Sequence, residues 1–294
     1  MVRGARAKMP TSETIYATSS ANVSVMDTGG NGYPVLFLHG SGSSKDIFAK
    51  QFVSSLAVNN RLIAVDLPGH GRSDDAKDPA TAYTIQGLAE TISEVLEALG
   101  LREAAVLGWS LGGHIGIELL SSNPVVSGLM IVGAPPVSPG PFGMLRAFQT
   151  NWDLLLASKE VFSERDARRF HDLCFGGRGT AEQLANIQRA DGRVRPTVVR
   201  SMMNGGGCDQ RRTVERASVP VAVVNGAGEP FSRLSYVAGL DYGNLWTNHC
   251  HVIADAGHAV FWDQPDQFNA LLGRFVEDIA AFAIVQKRNE RLRA

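Results

Sequence analysis

The chain has 294 residues, 44% of them hydrophobic and 19% charged, with a formal net charge of -1. That balance belongs to an ordinary globular protein and excludes a disordered or fibrous chain; it also lacks the basic excess that nucleic acid or an anionic membrane surface would call for. No apolar run approaches the roughly 20 residues that span a bilayer, and the three scattered cysteines (Cys174, Cys208 and Cys250) make no disulfide framework and point to a reducing, cytoplasmic setting.

Residues 1–13 read as a flexible tail, because Met1 to Pro10 carries Arg3, Arg6 and Lys8 but no apolar core of a secretory signal. Short apolar runs then alternate with amphipathic stretches, the pattern of a mostly parallel α/β sheet flanked by helices. The runs Val35 to Leu38, Leu62 to Val65, Ala104 to Leu107, Leu129 to Val132 and Val221 to Val224 are continuous, as expected of strands buried on both faces. Ile85 to Leu99 places Leu88, Ile92, Val95, Leu96 and Leu99 at helical spacing, and Gly100 stands where a helix C-cap belongs. Residues 136–217 break the rhythm with an insertion of about 80 residues, far longer than an ordinary connection. Its helix formers (Phe148 to Ser158, Ser163 to Cys174, Ala181 to Gln188) predict a helical cap on a core made of 14–135 and 218–294. Pro265 to Lys287 reads as a last helix, with Phe268, Leu271, Leu272, Phe275 and Ile279 on one face and solvated residues after it.

The strongest chemical signal is Gly108-Trp109-Ser110-Leu111-Gly112. A G-x-S-x-G stretch between a strand and a helix is a nucleophile elbow, whose sharp turn requires glycine on either side of the serine. The N–H of Leu111, at the helix N-terminus, can then point at a developing oxyanion. His39-Gly40-Ser41-Gly42 follows the first apolar strand, where Ser41 would supply the second oxyanion N–H. His39 reads as a structural hydrogen-bonding residue. So does His70 in Asp66-Leu67-Pro68-Gly69-His70-Gly71-Arg72-Ser73.

A serine hydroxyl is a poor nucleophile near neutral pH and needs a base held by a carboxylate. In chain order Ser, acid, His, the acid is expected after the strand Val221 to Val224, where Glu229 is the carboxylate in the turn. His258, in Asp255-Ala256-Gly257-His258, fits the base. Asp255 and Asp263 are competing acids, the first too near His258 in sequence and the second better placed in the following loop. His249 and His251 would share a strand face as a metal pair, but no third ligand lies at suitable spacing. The reaction therefore calls for no metal and no cofactor.

Together these residues resemble the α/β-hydrolase superfamily, and within it the metal-independent N-acyl-homoserine lactonases. The likeness is carried by Gly108 to Glu118 (GWSLGGHIGIE), Phe162 to Asp166 (FSERD), Val224-Asn225-Gly226 with Glu229-Pro230-Phe231, Gly243 to Trp246 (GNLW), His251-Val252-Ile253 and Ala256 to Ala259 (AGHA). It implies an α/β-hydrolase fold, catalytic Ser110, Glu229 and His258, and a small acyl-lactone or ester substrate. Two positions depart from that family: Ser41 stands for an asparagine, and Gly228 for an aspartate before the glutamate. Gly40, Trp109, Phe48, Phe148, Trp152 and Phe162 are expected around the substrate, the last three as an acyl-chain wall from the cap. The expected activity is opening of an acyl-homoserine lactone ring, as in quorum quenching. A carboxylesterase on simple esters and a ligand-sensing protein with little turnover are the alternatives. Dehalogenase and epoxide hydrolase chemistry needs an aspartate where Ser110 stands, and metal-dependent lactonases need a histidine cluster that this sequence lacks.

Overall fold

The computed structural model describes residues 11–150 and 152–293, with the side chains of residues 152, 154 and 285–293 outside that description. One eight-stranded sheet carries the fold, in the order β1-β2-β4-β3-β5-β6-β7-β8. Its strands are β1 (Ser12–Ala17), β2 (Asn22–Asp27), β3 (Tyr33–Leu38), β4 (Asn60–Val65), β5 (Ala104–Trp109), β6 (Val126–Val132), β7 (Val221–Gly226) and β8 (His251–Ile253). β1 and β2 form an antiparallel edge, β2 meets β4 antiparallel, and the rest is parallel. The sheet therefore starts at Ser12, two residues before the expected boundary, and residues 1–10 of the expected tail 1–13 lie outside the described residues.

The continuous apolar runs become two half-cores because successive side chains in a strand point to opposite faces. Leu36, Leu38, Ile63, Val65, Val106, Ile131 and Val223 face one way, against α1 (Ile85–Ala98) and α2 (Leu111–Ser122). Val35, Phe37, Leu62, Ala64, Leu107, Trp109, Val132 and Val224 face the other, against Phe268, Leu272, Phe275 and Ile279 of a long terminal helix. α1 starts at Thr84, whose hydroxyl accepts from Gly87 N, and ends in a Schellman turn. Gly100 N donates to Glu97 O and Leu101 N to Leu96 O, with Gly100 at φ +66°. The expected C-cap is thus a glycine in the left-handed conformation that it alone adopts cheaply.

Between β6 and β7 come α3 (Pro141–Ala147), a 3-10 stretch (Trp152–Ser158), α4 (Glu164–Phe175), α5 (Ala181–Arg189), α6 (Val194–Met203) and α7 (Gln210–Glu215). Phe148 to Ser158 is not the expected α-helix. Phe148 bridges Ser232 antiparallel, Gln149 N donates to Phe231 O and Arg233 N to Ala147 O. Those backbone groups are engaged across the gap, so helical bonds cannot start until Trp152. α4 begins where the sequence indicates, with a capping box between Ser163 and Asp166. The terminal helix α8 runs Pro265–Arg293, beyond the expected end at Lys287.

The strand order places the site. The chain steps from β3 to β4 on one side and returns to β5 on the other, so β3 and β5 are neighbours and Leu38 faces Gly108. A crevice opens at the carboxyl ends of parallel strands where the winding reverses. The loops after both strands meet there. The loop after β4 is locked beneath them by Asp66, whose carboxylate accepts from Lys45 N (2.7 Å), Lys45 Nζ (2.6 Å) and Arg72 N (2.8 Å). His39 Nε2 accepts from Leu67 N at 3.0 Å, leaving its Nδ1–H to donate to Gly40 O. Burial lowers the pKa of His39 and takes that of His70 down to about 3. The unfolded chain takes up those protons near the ordinary value of 6.5, where the folded state does not, so stability rises with pH across that window. The urea midpoint is expected to fall as pH drops from about 6.5 to about 5, with a shallower slope in His70→Gln. An equal slope in that variant would mean that the folded protein already protonates His70.

Candidate active site

Ser110 sits between the end of β5 and the start of α2 with φ 54° and ψ -118°, a conformation that costs an L residue about 1–3 kcal/mol. It is held there by Ser110 N donating to Val132 O and by Gly113 N donating to Ser110 O, each at 2.8 Å. A side chain at Gly108 would collide with the backbone of Gly112 and Gly113, and one at Gly112 with the carbonyl of Leu38. The glycines of the motif are there for contact, not for flexibility. Leu111 is the first residue of α2, so its N–H has no intrahelical acceptor.

The loop after β3 turns at Gly40 to Ser43, with Ser43 N donating to Gly40 O at 3.2 Å and Gly42 at φ +73°. Gly40 lies against Ser110: a Cβ there would stand 3.0 Å from the Ser110 Cβ and 3.1 Å from the Trp109 ring. Ser41 lines the same cavity as Ser110 and Leu111, and its Oγ is buried with no hydrogen-bond partner among the described residues.

Glu229 and His258 are brought together from the turns after β7 and β8. His258 Nδ1 lies 2.8 Å from Glu229 Oε2 and 3.0 Å from Oε1. Glu229 Oε1 also accepts from Phe231 N (2.8 Å) and Ser232 N (3.1 Å). Burial would raise the Glu229 carboxyl, but the charge and hydrogen bond of His258 and the two amides outweigh it and hold it below its ordinary value. An ionised carboxylate only accepts, so His258 Nδ1 carries the hydrogen that it shares with Glu229. The imidazole is gripped from both sides. Trp109 Nε1 donates to His258 O at 2.9 Å, the Trp109 ring lies 5.4 Å away, and Phe231 meets His258 edge-on at 4.6 Å. Asp263 takes the loop role, accepting from Gly257 N at 2.8 Å, while Asp255 is exposed at φ +53° with its carbonyl bonded to Arg178.

A cavity of about 330 Å³ opens at Ser110, lined by Ser41, Leu111, His114, Gly133, Phe148 and Phe231 and walled by Phe170, Val194, Val198 and Met202. Of the residues expected around a substrate, Phe148 lines it and Gly40 abuts the serine. Trp109, Phe48 and Phe162 do not line it. Trp109 is nearly fully buried behind His258, packed on Phe175 and Phe261, and Phe48 is fully buried between Phe37 and Phe261. Phe162 stacks under the Arg195 guanidinium at 3.9 Å and on Phe170, one layer outside the cavity. The side chain of Trp152 lies outside the described residues. A larger depression of about 720 Å³, between the end of α2 and α7, holds none of the candidate residues.

His249 and His251 have rings 4.2 Å apart, but each nitrogen with a described contact meets Thr247. No group of three metal-ligating side chains occurs among the described residues. One residue missed in the sequence is Gly133, after β6 at φ +61°, where a Cβ would stand 2.7 Å from His258 Cε1 and 2.8 Å from Nδ1. A glycine closing an apolar strand run was the available signal. Phe170, Val194, Val198 and Met202 carried none, since they differ in no way from helix residues facing a core.

The arrangement of sheet, elbow and paired acid and base defines an α/β hydrolase, and the chain belongs to the alpha/beta hydrolase family, whose model matches residues 35–271. Among solved structures it is similar to the N-acyl homoserine lactonase AidH. A glutamate-to-glycine mutant of AidH complexed with N-hexanoyl homoserine shares 41% identity at a TM-score of 0.89, over 92% of this chain and 98% of that one. A serine-to-glycine mutant complexed with N-hexanoyl homoserine lactone shares 41% at 0.88, over 91% and 98%. Among curated proteins, the pimeloyl-[acyl-carrier protein] methyl ester esterase of Xanthomonas axonopodis pv. citri is 28% identical over 86% of this chain and 99% of its own. An esterase of Mycobacterium tuberculosis is 26% identical over 89% and 88%.

Gly133→Ala is expected to push the His258 ring out of line and lower the turnover of a small aryl ester by about 10²-fold, with the circular dichroism spectrum retained. Unchanged turnover would mean that the ring has room that the packing denies.

Proposed function

We propose that this protein is a serine hydrolase that opens the lactone ring of N-acyl-homoserine lactones. The coarser description, a carboxylic ester hydrolase, is common to the esterase relatives and the lactonase structures. The finer one rests on a single combination: an apolar cavity of about 330 Å³ at Ser110, in a chain 41% identical to a lactonase solved with its acyl lactone.

His258 Nε2 takes the proton of Ser110 Oγ as the oxygen attacks the lactone carbonyl. The N–H groups of Ser41 and Leu111 hold the oxyanion, and losing one such donor costs about 10²–10³ in rate. Collapse breaks the ring C–O bond, and His258 returns the proton to the leaving oxygen, which stays tethered as a hydroxyl. Water then attacks the acyl-enzyme with His258 as base, Ser110 regains its proton, and the ionised acid product releases one. Glu229 keeps the Nδ1–H tautomer and steadies the imidazolium. Residues 136–217 serve as the cap, and Phe148 with the walls from α4 and α6 holds the acyl chain.

The test is proton release from N-hexanoyl homoserine lactone in EDTA, beside a linear ester of matched acyl length. Lactone turnover that is lost in Ser110→Ala and about 10⁴-fold lower in Glu229→Gln is expected. Hydrolysis of the linear ester with an inert lactone would sink the lactonase reading and leave an esterase.

A further inference from the structure

We propose that His114 is a specificity-determining residue: its Nε2 accepts a hydrogen bond from the N–H of an acylamino group on the carbon beside the attacked carbonyl. The inference rests on the serine-hydrolase reading and names the substrate feature that this site selects.

His114 is buried, lines the cavity, and stands beside Phe148 with ring centroids 5.9 Å apart. Its tautomer follows from its neighbours. Gln210 is buried on α7, and the side-chain atom it aims at the ring also faces the backbone N–H of Val137 at 3.4 Å. Only an oxygen can satisfy that donor, so Gln210 presents Oε1, and His114 Nδ1, 2.8 Å away, must be the donor to it. Burial lowers the pKa of His114 to about 4, and the ring is neutral at working pH. Nε2 is left as a lone-pair acceptor. With Nδ1 engaged on Gln210, the edge that the ring offers to the cavity carries that lone pair.

The other polar side chains lining the cavity differ in kind. Ser110 and Ser41 stand at the reacting carbonyl, and the Ser158 hydroxyl donates to Leu155 O. Arg195 is a donor held by the carbonyls of Lys159 and Glu160. His114 is the nitrogen acceptor among the described lining side chains, its one N–H already spent on Gln210. Its position fixes what it reads. It follows Ser110 by four residues, and its own N–H bonds Ser110 O at 3.3 Å. Ser110 caps the helix and His114 lies one turn into it, and both side chains line the same cavity. A group on the carbon next to the attacked carbonyl falls within reach, whereas the far end of an acyl chain does not. An apolar cavity with a fixed acceptor beside the serine selects a substrate bearing a donor there, because a substrate without it leaves the nitrogen unpaired.

The experiment compares kcat/KM for N-hexanoyl homoserine lactone and for the analogue in which CH2 replaces the N–H. It adds the corresponding linear pair, N-hexanoylalanine methyl ester and its CH2 analogue. The expected preference for the N–H substrate is about tenfold, falling to near one in His114→Phe. Gln210→Glu provides a second variant: a carboxylate there favours the imidazolium, turns Nε2 into a donor and removes the preference while the ring stays in place. A wild-type ratio near one overturns the inference. So does a ratio unchanged in both variants, even when both substrates slow equally. If the lactones are inert while the linear pair shows the preference and loses it in the variants, His114 keeps this role and only the lactonase reading falls.

Discussion

The site depends on how closely the elbow at Ser110 approaches the end of β3. Gly112 has no room for a side chain against the Leu38 carbonyl, and Gly40 has little against Ser110 and Trp109. That contact exists because the winding reverses between β3 and β5, which leaves the two strand ends adjacent with no intervening strand. A strained serine is tolerable in such a place because surrounding bonds over-determine it: its N–H is committed to β6 and its carbonyl to the next turn of α2. The same crowding brings Leu111 of α2 and Ser41 of the β3 loop to the cavity that Ser110 lines.

Electrostatics then sort the buried polar groups by role. Glu229 is deeply buried yet stays ionised, since two amides and the imidazole supply what water would have supplied. His39, His70 and His114 lie in comparable burial without a carboxylate partner, and each is held toward its neutral form. The four buried histidines thus divide by partner: His258 faces a carboxylate, and His39, His70 and His114 face main-chain groups or an amide.

The inserted helices are coupled to this machinery through main chain as well as through side chains that line a cavity. Gln149 exchanges bonds with the acid turn, its N–H to Phe231 O and its Nε2 to Glu229 O, each at 2.7 Å. Any displacement of the segment after α3 therefore pulls on the loop that presents Glu229. Phe231 lies at the junction, contacting His258 on one side and Phe170 of α4 on the other.

What the sequence determined by itself was everything local. The Gly-x-Ser-x-Gly turn, the five apolar strand runs and the Gly100 cap follow from sterics and periodicity that act within a few residues, and the choice of Glu229 and His258 beside Ser110 from the chain order that such an elbow brings with it. The tertiary structure alone decided which aromatic rings meet a substrate. Trp109 and Phe48 both pack against Phe261 and line no part of the cavity, while Phe231 and Phe170 do. It also decided that Phe148 is extended, because its backbone partners lie more than 80 residues away, and that Gly133 must lack a side chain, because the ring it accommodates comes from another strand. The tautomer of His114 depends likewise on Gln210, 96 positions along the chain. Contacts between distant segments leave no period in a sequence, so residues that differ only in which face they turn inward cannot be told apart until the sheet has closed around them.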